Sequence, residues 1–469
     1  MSDELQLLYN WIDGHRDDLV QALCGVLRIP SVQQPAAGPD APYGLPVREA
    51  LDYTLDVCRD LGFRVEDFGG HAAHAEFGEG KEMVAAIGHL DVVPEGAGWT
   101  YPPYGAEIHD GYIYARGAED DKGPTYAALF AAKALMDCAL PLDRRVRIIF
   151  GCNEESGFGC VRHYWEVAQQ EKPAYAFTPD ACFPLVYAEK GIANATISNG
   201  VSRVEGDLRL QSASGGLRAN MVPEYAEAVL EGTPDALLAA LQKLQEYWDR
   251  NVTATLEGKS LRVSARGKSA HGSSPHEGDN AIVRLARVLR NLDLPGERGW
   301  LDWVVRTGDA GGTGLGIEGR DEVAGRLTCN LGTLERRDFM VRIVYNIRYP
   351  VTWTSDTVSE RIRKGLEKTG WRLDDLSDSR PLYVPLDREP ARTLLHVYRL
   401  ETGDGQSEPR TMGGGTYARA IPNALAYGAS FPDSADGPAH EPNERIAIDT
   451  LVRAAKIYAH ALYALANLP

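Results

Sequence analysis

Five clusters of carboxylates and histidines, each following an apolar, strand-like run, constrain this chain more than any other feature. They are GHLDVVP (88–94), GAEDDKGPT (117–125), CNEESG (152–157), FTPD (177–180) and GPAHEPNE (437–444). The runs MVAAIGH (83–89), RVRIIFG (145–151) and AYAFT (174–178) have the length and composition of buried strands. They alternate with helical patterns over 47–61 and from Pro124 onward,. That alternation predicts a mostly parallel sheet covered on both faces. Residues that follow such strands gather at one edge of the sheet, where open α/β folds place their sites.

Each cluster alone is a weak signal. Asp120–Asp121 and Glu154–Glu155 are adjacent acids after buried strands, where like charges repel and raise one another's pKa,. Solvation or helix capping would account for one such pair; Asp121, ahead of Lys122-Gly-Pro, could cap a helix. It does not account for two acid pairs, an HxD and an HEPNE together unless multivalent cations neutralise them. A two-metal site explains the inventory. His89, Asp120, Asp180, Glu155 and His440 supply five ligands, with Asp120 as the bridge,. Asp91 could then accept the second ring N–H of His89 and fix its tautomer. Glu154 is left over beside the ligands, where a general base belongs.

The rest of the chain narrows the class. At 469 residues it is too long for one ordinary core,. Its 66 Asp and Glu against 49 Lys and Arg give a net charge of −17, which disfavours nucleic acid and anionic membrane surfaces and invites cations,. The seven cysteines include no CxxC pair, and the N-terminus lacks a basic region followed by an apolar run,. No run reaches the ~18 apolar residues of a spanning helix. A cytoplasmic protein is expected. Between 190 and 385 strand-like segments (261–267, 340–350) are each followed by helical patterns (277–292, 355–369), and a further helix is expected over 234–248. The expected layout is a catalytic domain of residues 1–189 and 386–469 interrupted by a two-lobed α+β domain, 190–385. Helices over 390–402 and 446–467 belong to its C-terminal part.

Taken together, GHLDVVP, ARGAEDDKGPT, GCNEESG, TPD with AEKG, GKSAHGSSP, GGGTYAR and AHEPNE resemble the co-catalytic zinc peptidases. That family includes aminoacylases, carnosinases, glutamate carboxypeptidases and bacterial dipeptidases, and the dipeptidase V (Xaa-His dipeptidase) type is the most similar. The resemblance spans essentially the whole chain. It implies an α/β catalytic domain with an inserted two-lobed lid, and two divalent metal ions, zinc with manganese and cobalt as alternatives. The metal ligands are those above: His89, Asp120 and Asp180 on one ion, and Asp120, Glu155 and His440 on the other. Glu154 matches the base and Asp91 the histidine-orienting carboxylate. His271 corresponds to the insert histidine that stabilises the oxyanion. Asn220 and Arg348 match the pair gripping the tetrahedral intermediate and the substrate carboxylate. Gly413, Gly414, Gly415 and Thr416 would offer backbone N–H groups to that carboxylate. It also implies a cis peptide between Asp120 and Asp121.

The activity so implied is hydrolysis of unblocked dipeptides, with small peptides as the only partners and a monomeric state. An N-acyl-amino-acid amidohydrolase with the same metals is the alternative, and a catalytically silent binding module a distant third. His71, His74, His109, His163 and His276 read as surface residues, and Cys152 and Cys182 as packed ones.

Overall fold

The computed structural model describes residues 3–247 and 249–469. The first two residues of the expected N-terminal domain, and the last residue of the helix expected over 234–248, lie outside them. The chain folds as two compact units. One holds the chain through Ala188 with Leu382–Arg410 and Thr416–Pro469, and the other holds Glu189–Pro381 with Thr411–Gly415. The short segment Thr411–Gly415, which the sequence places in the C-terminal catalytic part, packs with the second unit.

In the first unit a sheet runs in the order Arg64–Asp67, Ala72–Phe77, Arg145–Gly151, Met83–His89, Tyr175–Thr178, Ala424–Ala426, Val186–Glu189 and Leu382–Tyr383. Its centre is parallel, with Arg145–Gly151 and Tyr175–Thr178 flanking Met83–His89. Its flanks are antiparallel. Every residue of Met83–His89 is buried, as expected of a strand covered on both faces,. Helix Lys122–Asp137 is apolar nearly all round and lies against the central strands, where helix Ile448–Ala466 packs on it,. Each fully buried Leu, Ile, Val or Phe in this layer contributes roughly 1.5–3 kcal/mol. Register opposes His89 to Gly151 and Ala86 to Phe177, so the central strands end at one edge of the sheet. Gly88 is required there: a Cβ would lie 1.8 Å from Thr125 Oγ1 and 2.6 Å from Asp121 Oδ2.

The second unit is built on one eight-stranded sheet, ordered Val252–Glu257, Ser260–Arg266, Tyr225–Gly232, Leu208–Gly215, Thr328–Arg337, Met340–Tyr349, Gly191–Gly200 and Arg372–Ser379. Neighbouring strands are antiparallel. The two lobes legible in the sequence are therefore halves of a continuous sheet, joined where Leu208–Gly215 meets Thr328–Arg337. Alternating burial in Gly191–Gly200 and Ser260–Arg266 turns one set of side chains to a core shared with the helices Ala281–Leu289, Arg298–Thr307 and Ser355–Leu366.

Candidate active site

His89 ends its strand with a fully buried ring. Its Nδ1 lies 2.8 Å from the backbone carbonyl of Asp91, while the Asp91 carboxylate is 3.7 Å away. A carbonyl only accepts, so Nδ1 carries a proton, and in the neutral ring the lone pair is left on Nε2. The carboxylate of Asp91, expected to orient this ring, instead accepts the backbone N–H groups of Glu154 (3.0 Å) and Glu155 (3.1 Å). The ring is oriented by the carbonyl of Asp91, and its carboxylate fastens the loop that carries both glutamates. Burial pushes that carboxylate up to about 6.

Asp120 stands between two histidines. Its Oδ1 is 3.0 Å from His89 Nε2, and its Oδ2 is 3.0 Å from His440 Nε2. Asp180 Oδ2 lies 4.0 Å from the same nitrogen of His89, and Glu155 Oε1 lies 3.0 Å from that of His440. Among the described residues, two groups could hold a metal ion: His89, Asp120 and Asp180, and Asp120, Glu155 and His440. The five residues expected from the sequence as ligands are thus brought together, and Asp120 belongs to both groups. Its peptide bond to Asp121 is cis. Glu154 belongs to neither group.

Electrostatics support a cationic occupant. Burial, followed by the charges of Asp120, Glu154 and Asp121, raises the Asp180 carboxyl well above the ordinary range. Burial also raises Glu154, as do Glu155, Asp120 and Asp91, against the pull of His89. Burial disfavours a charged His89, but its hydrogen bond to Asp120 and the surrounding carboxylates outweigh that and raise its pKa. Hydrogen bonds to Asp120 and Glu155 raise His440 to about 10. Extra protons on the imidazoles are one way to neutralise so many buried carboxylates, and divalent cations are the other. Imidazole nitrogens and carboxylate oxygens are the donors zinc, manganese and cobalt accept, so the residues fit such ions.

The loops around these residues are fastened in part by Glu444 and Arg116, which the sequence does not mark out. Glu444 is fully buried, and its Oε1 accepts the backbone N–H groups of Glu119 (2.9 Å) and Asp120 (3.2 Å). Its Oε2 pairs at 2.5 Å with the buried Arg116. Glu444 thereby ties the segment carrying His440 to the segment carrying Asp120. Asp121 sits at the N-cap position of Lys122–Asp137 but does not cap it; its Oδ2 accepts from Thr125 Oγ1 and from the His89 N–H. Burial pushes it up to about 7. Thr416 Oγ1 accepts the Ala418 N–H and starts a short 3₁₀ turn.

In the second unit Arg348 is buried on strand Met340–Tyr349. Its Nε donates to Asn346 Oδ1 (2.9 Å) and its Nη1 to the Gly413 carbonyl (2.8 Å). Gly413, expected to offer an N–H, accepts here through its oxygen. The position needs glycine because a Cβ would lie 2.7 Å from that of Ser273. His271 and Asn220 are exposed. His271 Nδ1 faces Ser273 Oγ at 2.6 Å and Ser273 N–H at 3.4 Å. A backbone N–H can only donate, so Nδ1 accepts and the ring proton sits on Nε2. Gly414 and Gly415 belong to this unit and Thr416 to the first. His74, read as a surface residue, is buried in Ala72–Phe77, and its Nδ1 lies 2.7 Å from Tyr164 Oη. His71 and His163 stack on one another at 3.8 Å, and His276 is exposed.

Residues 85–464 match the family model described as Peptidase family M20/M25/M40. The chain is similar to "Putative dipeptidase YtjP" of Bacillus subtilis (strain 168), 39% identical over 469 residues, covering 98% of this chain and all of the relative. It is similar to a "Putative dipeptidase" of Staphylococcus epidermidis, 34% identical, covering 96% of this chain and 97% of the relative. Among solved structures it resembles the Saccharomyces cerevisiae di-peptidase Dug1p, with a TM-score of 0.59, 16% identity and full coverage of both chains. It also resembles human carnosine dipeptidase 1, with a TM-score of 0.55, 17% identity and coverage of 99% and 100%. At these identities the solved structures speak for the fold.

Proposed function

The chain belongs to peptidase family M20/M25/M40 and is a peptidase that uses divalent metal ions, and on that premise we propose that it is a di-zinc dipeptidase acting on unblocked dipeptides. The observation that carries the reading is Asp120, whose two oxygens each lie 3.0 Å from a different histidine. Relatives named as dipeptidases support the substrate class along the whole chain. His89, Asp120 and Asp180 would hold one ion, and Asp120, Glu155 and His440 the other, with manganese or cobalt replacing zinc where the supply favours them. When bound, the ions supply Lewis acidity that makes water nucleophilic at neutral pH and draws charge from the scissile carbonyl.

The chain's own groups do the rest. Glu154 takes a proton from the attacking water at its carboxylate and delivers it to the nitrogen of the departing amine, so no net proton is gained or lost. Asp91 holds the Glu154–Glu155 loop through two N–H groups, which fixes the base relative to the ligands. His271 donates its Nε2 proton to the carbonyl oxygen as charge develops there, and Asn220 adds a second polar contact. Arg348 pairs with the free carboxylate of the dipeptide, for which a planar guanidinium is better suited than an ammonium. Gly414, Gly415 and Thr416 contribute backbone N–H groups to the same carboxylate.

We place the protein in the cytoplasm as a monomer. Its described cysteines are all free, and no described helix is long and apolar enough to cross a membrane. Scattering in solution should return the mass of one chain. The decisive assay is a panel of dipeptides, tripeptides and N-acetyl-amino acids on protein reconstituted with zinc, manganese or cobalt. The reading expects turnover of dipeptides above the other two classes. Preferential cleavage of N-acetyl-amino acids would make it an acylase, and binding without turnover would make it a silent module.

A further inference from the structure

Three asparagines lie side by side across three neighbouring strands of the second unit. Asn346 of Met340–Tyr349 is directly opposite Asn194 of Gly191–Gly200 on one side and Asn330 of Thr328–Arg337 on the other. Asn330 and Asn346 are each 1% exposed. Their strand neighbours Tyr345, Ile347 and Leu331 point the opposite way, into the helix-covered core,. Polar side chains buried in a sheet cost free energy unless every group is bonded, so such a row calls for an explanation.

The row bonds to Arg348 and to the backbone on either side of Asn220, two residues assigned above to the substrate. Asn346 Oδ1 accepts from Arg348 Nε at 2.9 Å, and Asn346 Nδ2 donates to Asn194 Oδ1 at 2.8 Å. The second bond fixes which way the amide faces, because only the oxygen can then receive the guanidinium proton. Asn330 Nδ2 donates to the carbonyls of Ala219 and Met221, both at 2.8 Å, and so pins the backbone on either side of Asn220. Gly272, next to His271, closes over the row: its N–H donates to the Asn220 carbonyl at 2.7 Å, and a Cβ there would lie 2.9 Å from Asn346 Oδ1. Arg348 is held a second time by the Gly413 carbonyl.

We propose that Asn346, oriented by Asn194, is the positioning residue that sets the plane of the Arg348 guanidinium and thereby determines preference for substrates with a free carboxylate, while Asn330 does the same service for Asn220. This rests on the reading of Arg348 as the carboxylate-binding residue. A fork held along its Nε edge cannot rotate, and a misplacement of about 1 Å at such a contact can cost on the order of a hundredfold in rate. Asn346 is itself 1% exposed, and its effect on the substrate would pass through Arg348.

The test compares a dipeptide, such as alanyl-alanine, with its C-terminal amide on the metal-reconstituted full chain. Asn346→Leu removes the acceptor in similar volume, and should lower kcat/KM on the dipeptide by about 10- to 100-fold, mainly through KM. The amide should change by no more than about threefold, with metal content and circular dichroism as in wild type. Asn346→Asp keeps an oxygen for Nε but loses the N–H given to Asn194, and should regain part of the loss. Should Asn346→Leu not fold, Asn346→Ser, too short to reach Nε, carries the same expectation. Equal losses on both substrates, or an Asp variant no better than Leu, would overturn the proposal. Arg348→Ala, run alongside, separates the two levels. If it fails to distinguish dipeptide from amide, the reading of Arg348 falls and the proposal with it. If it does distinguish them while Asn346→Leu behaves as wild type, only the positioning role falls.

Discussion

A half-buried glutamate among other carboxylates readily accepts a proton, and Glu154 is in that situation through desolvation and through Glu155, Asp120 and Asp91,. Glu154→Gln keeps its shape and removes its proton shuttle. Turnover should drop by about 10²–10⁴-fold, with bound metal at the wild-type level by elemental analysis. A variant retaining half of wild-type kcat would remove Glu154 from the base role. Glu444 makes a different prediction. Glu444→Gln would set an amide N–H against the Arg116 guanidinium and loosen the hold on the Glu119 and Asp120 N–H groups. Metal affinity, measured by competition with a chelating dye, should weaken by about 10- to 100-fold, while KM at saturating metal stays near wild type. Unchanged affinity would reduce Glu444 to a space-filling group. The cluster proposed to hold the ions is legible in sequence because charged residues crowd after apolar runs, a pattern with few structural explanations. Glu444 is not legible, because an acid four residues past His440 looks the same whether it meets water or Arg116. The bond from His89 to the Asp91 carbonyl is hidden for a similar reason: the sequence gives the side chain, and the backbone conformation chose the oxygen.

Elements were readable in proportion to how uniform their surroundings are. Met83–His89 is apolar up to its final histidine, and Arg145–Gly151 is apolar from Ile148 on, because helices cover both faces,. Ala72–Phe77, AAHAEF, is wholly buried yet carries His74 and Glu76, and nothing local announces that Tyr164 and Arg147 satisfy them. That strand predicts a pH effect. Burial, reinforced by the Arg147 charge, holds His74 down at about 3, below the ordinary 6.5. The unfolded chain therefore binds a proton between about pH 6.5 and 3 that the folded chain does not, so this group's contribution to stability is full above pH 6.5 and is lost as pH falls through that window. His74→Gln cannot protonate and should flatten the acid side of a plot of Tm against pH. An acid side as steep as in wild type would mean that other groups dominate it. The eight-stranded sheet of the second unit escaped sequence reading because its halves meet through Leu208–Gly215 and Thr328–Arg337, more than a hundred residues apart. Local periodicity shows strands and helices, and pairing at that distance leaves no local mark.

For the whole molecule, the five residues proposed as ligands all lie in the first unit, so metal binding should stabilise that unit alone. Ions at 1,000 times their Kd contribute about 4 kcal/mol. Chelation should speed hydrogen exchange in Met83–His89 and Lys122–Asp137 and leave Tyr225–Gly232 of the second unit as it was. Faster exchange in both units would show that the metal supports more of the fold than its ligands reach. The division of labour proposed here, chemistry in one unit and substrate recognition in the other, depends on a pair of ions sharing one carboxylate. Elemental analysis of wild type and Asp120→Ala after reconstitution and exhaustive dialysis tests that claim most directly. The account predicts two ions per chain in wild type and close to none in Asp120→Ala, because the bridge serves both. One ion retained at full stoichiometry in the variant would contradict it.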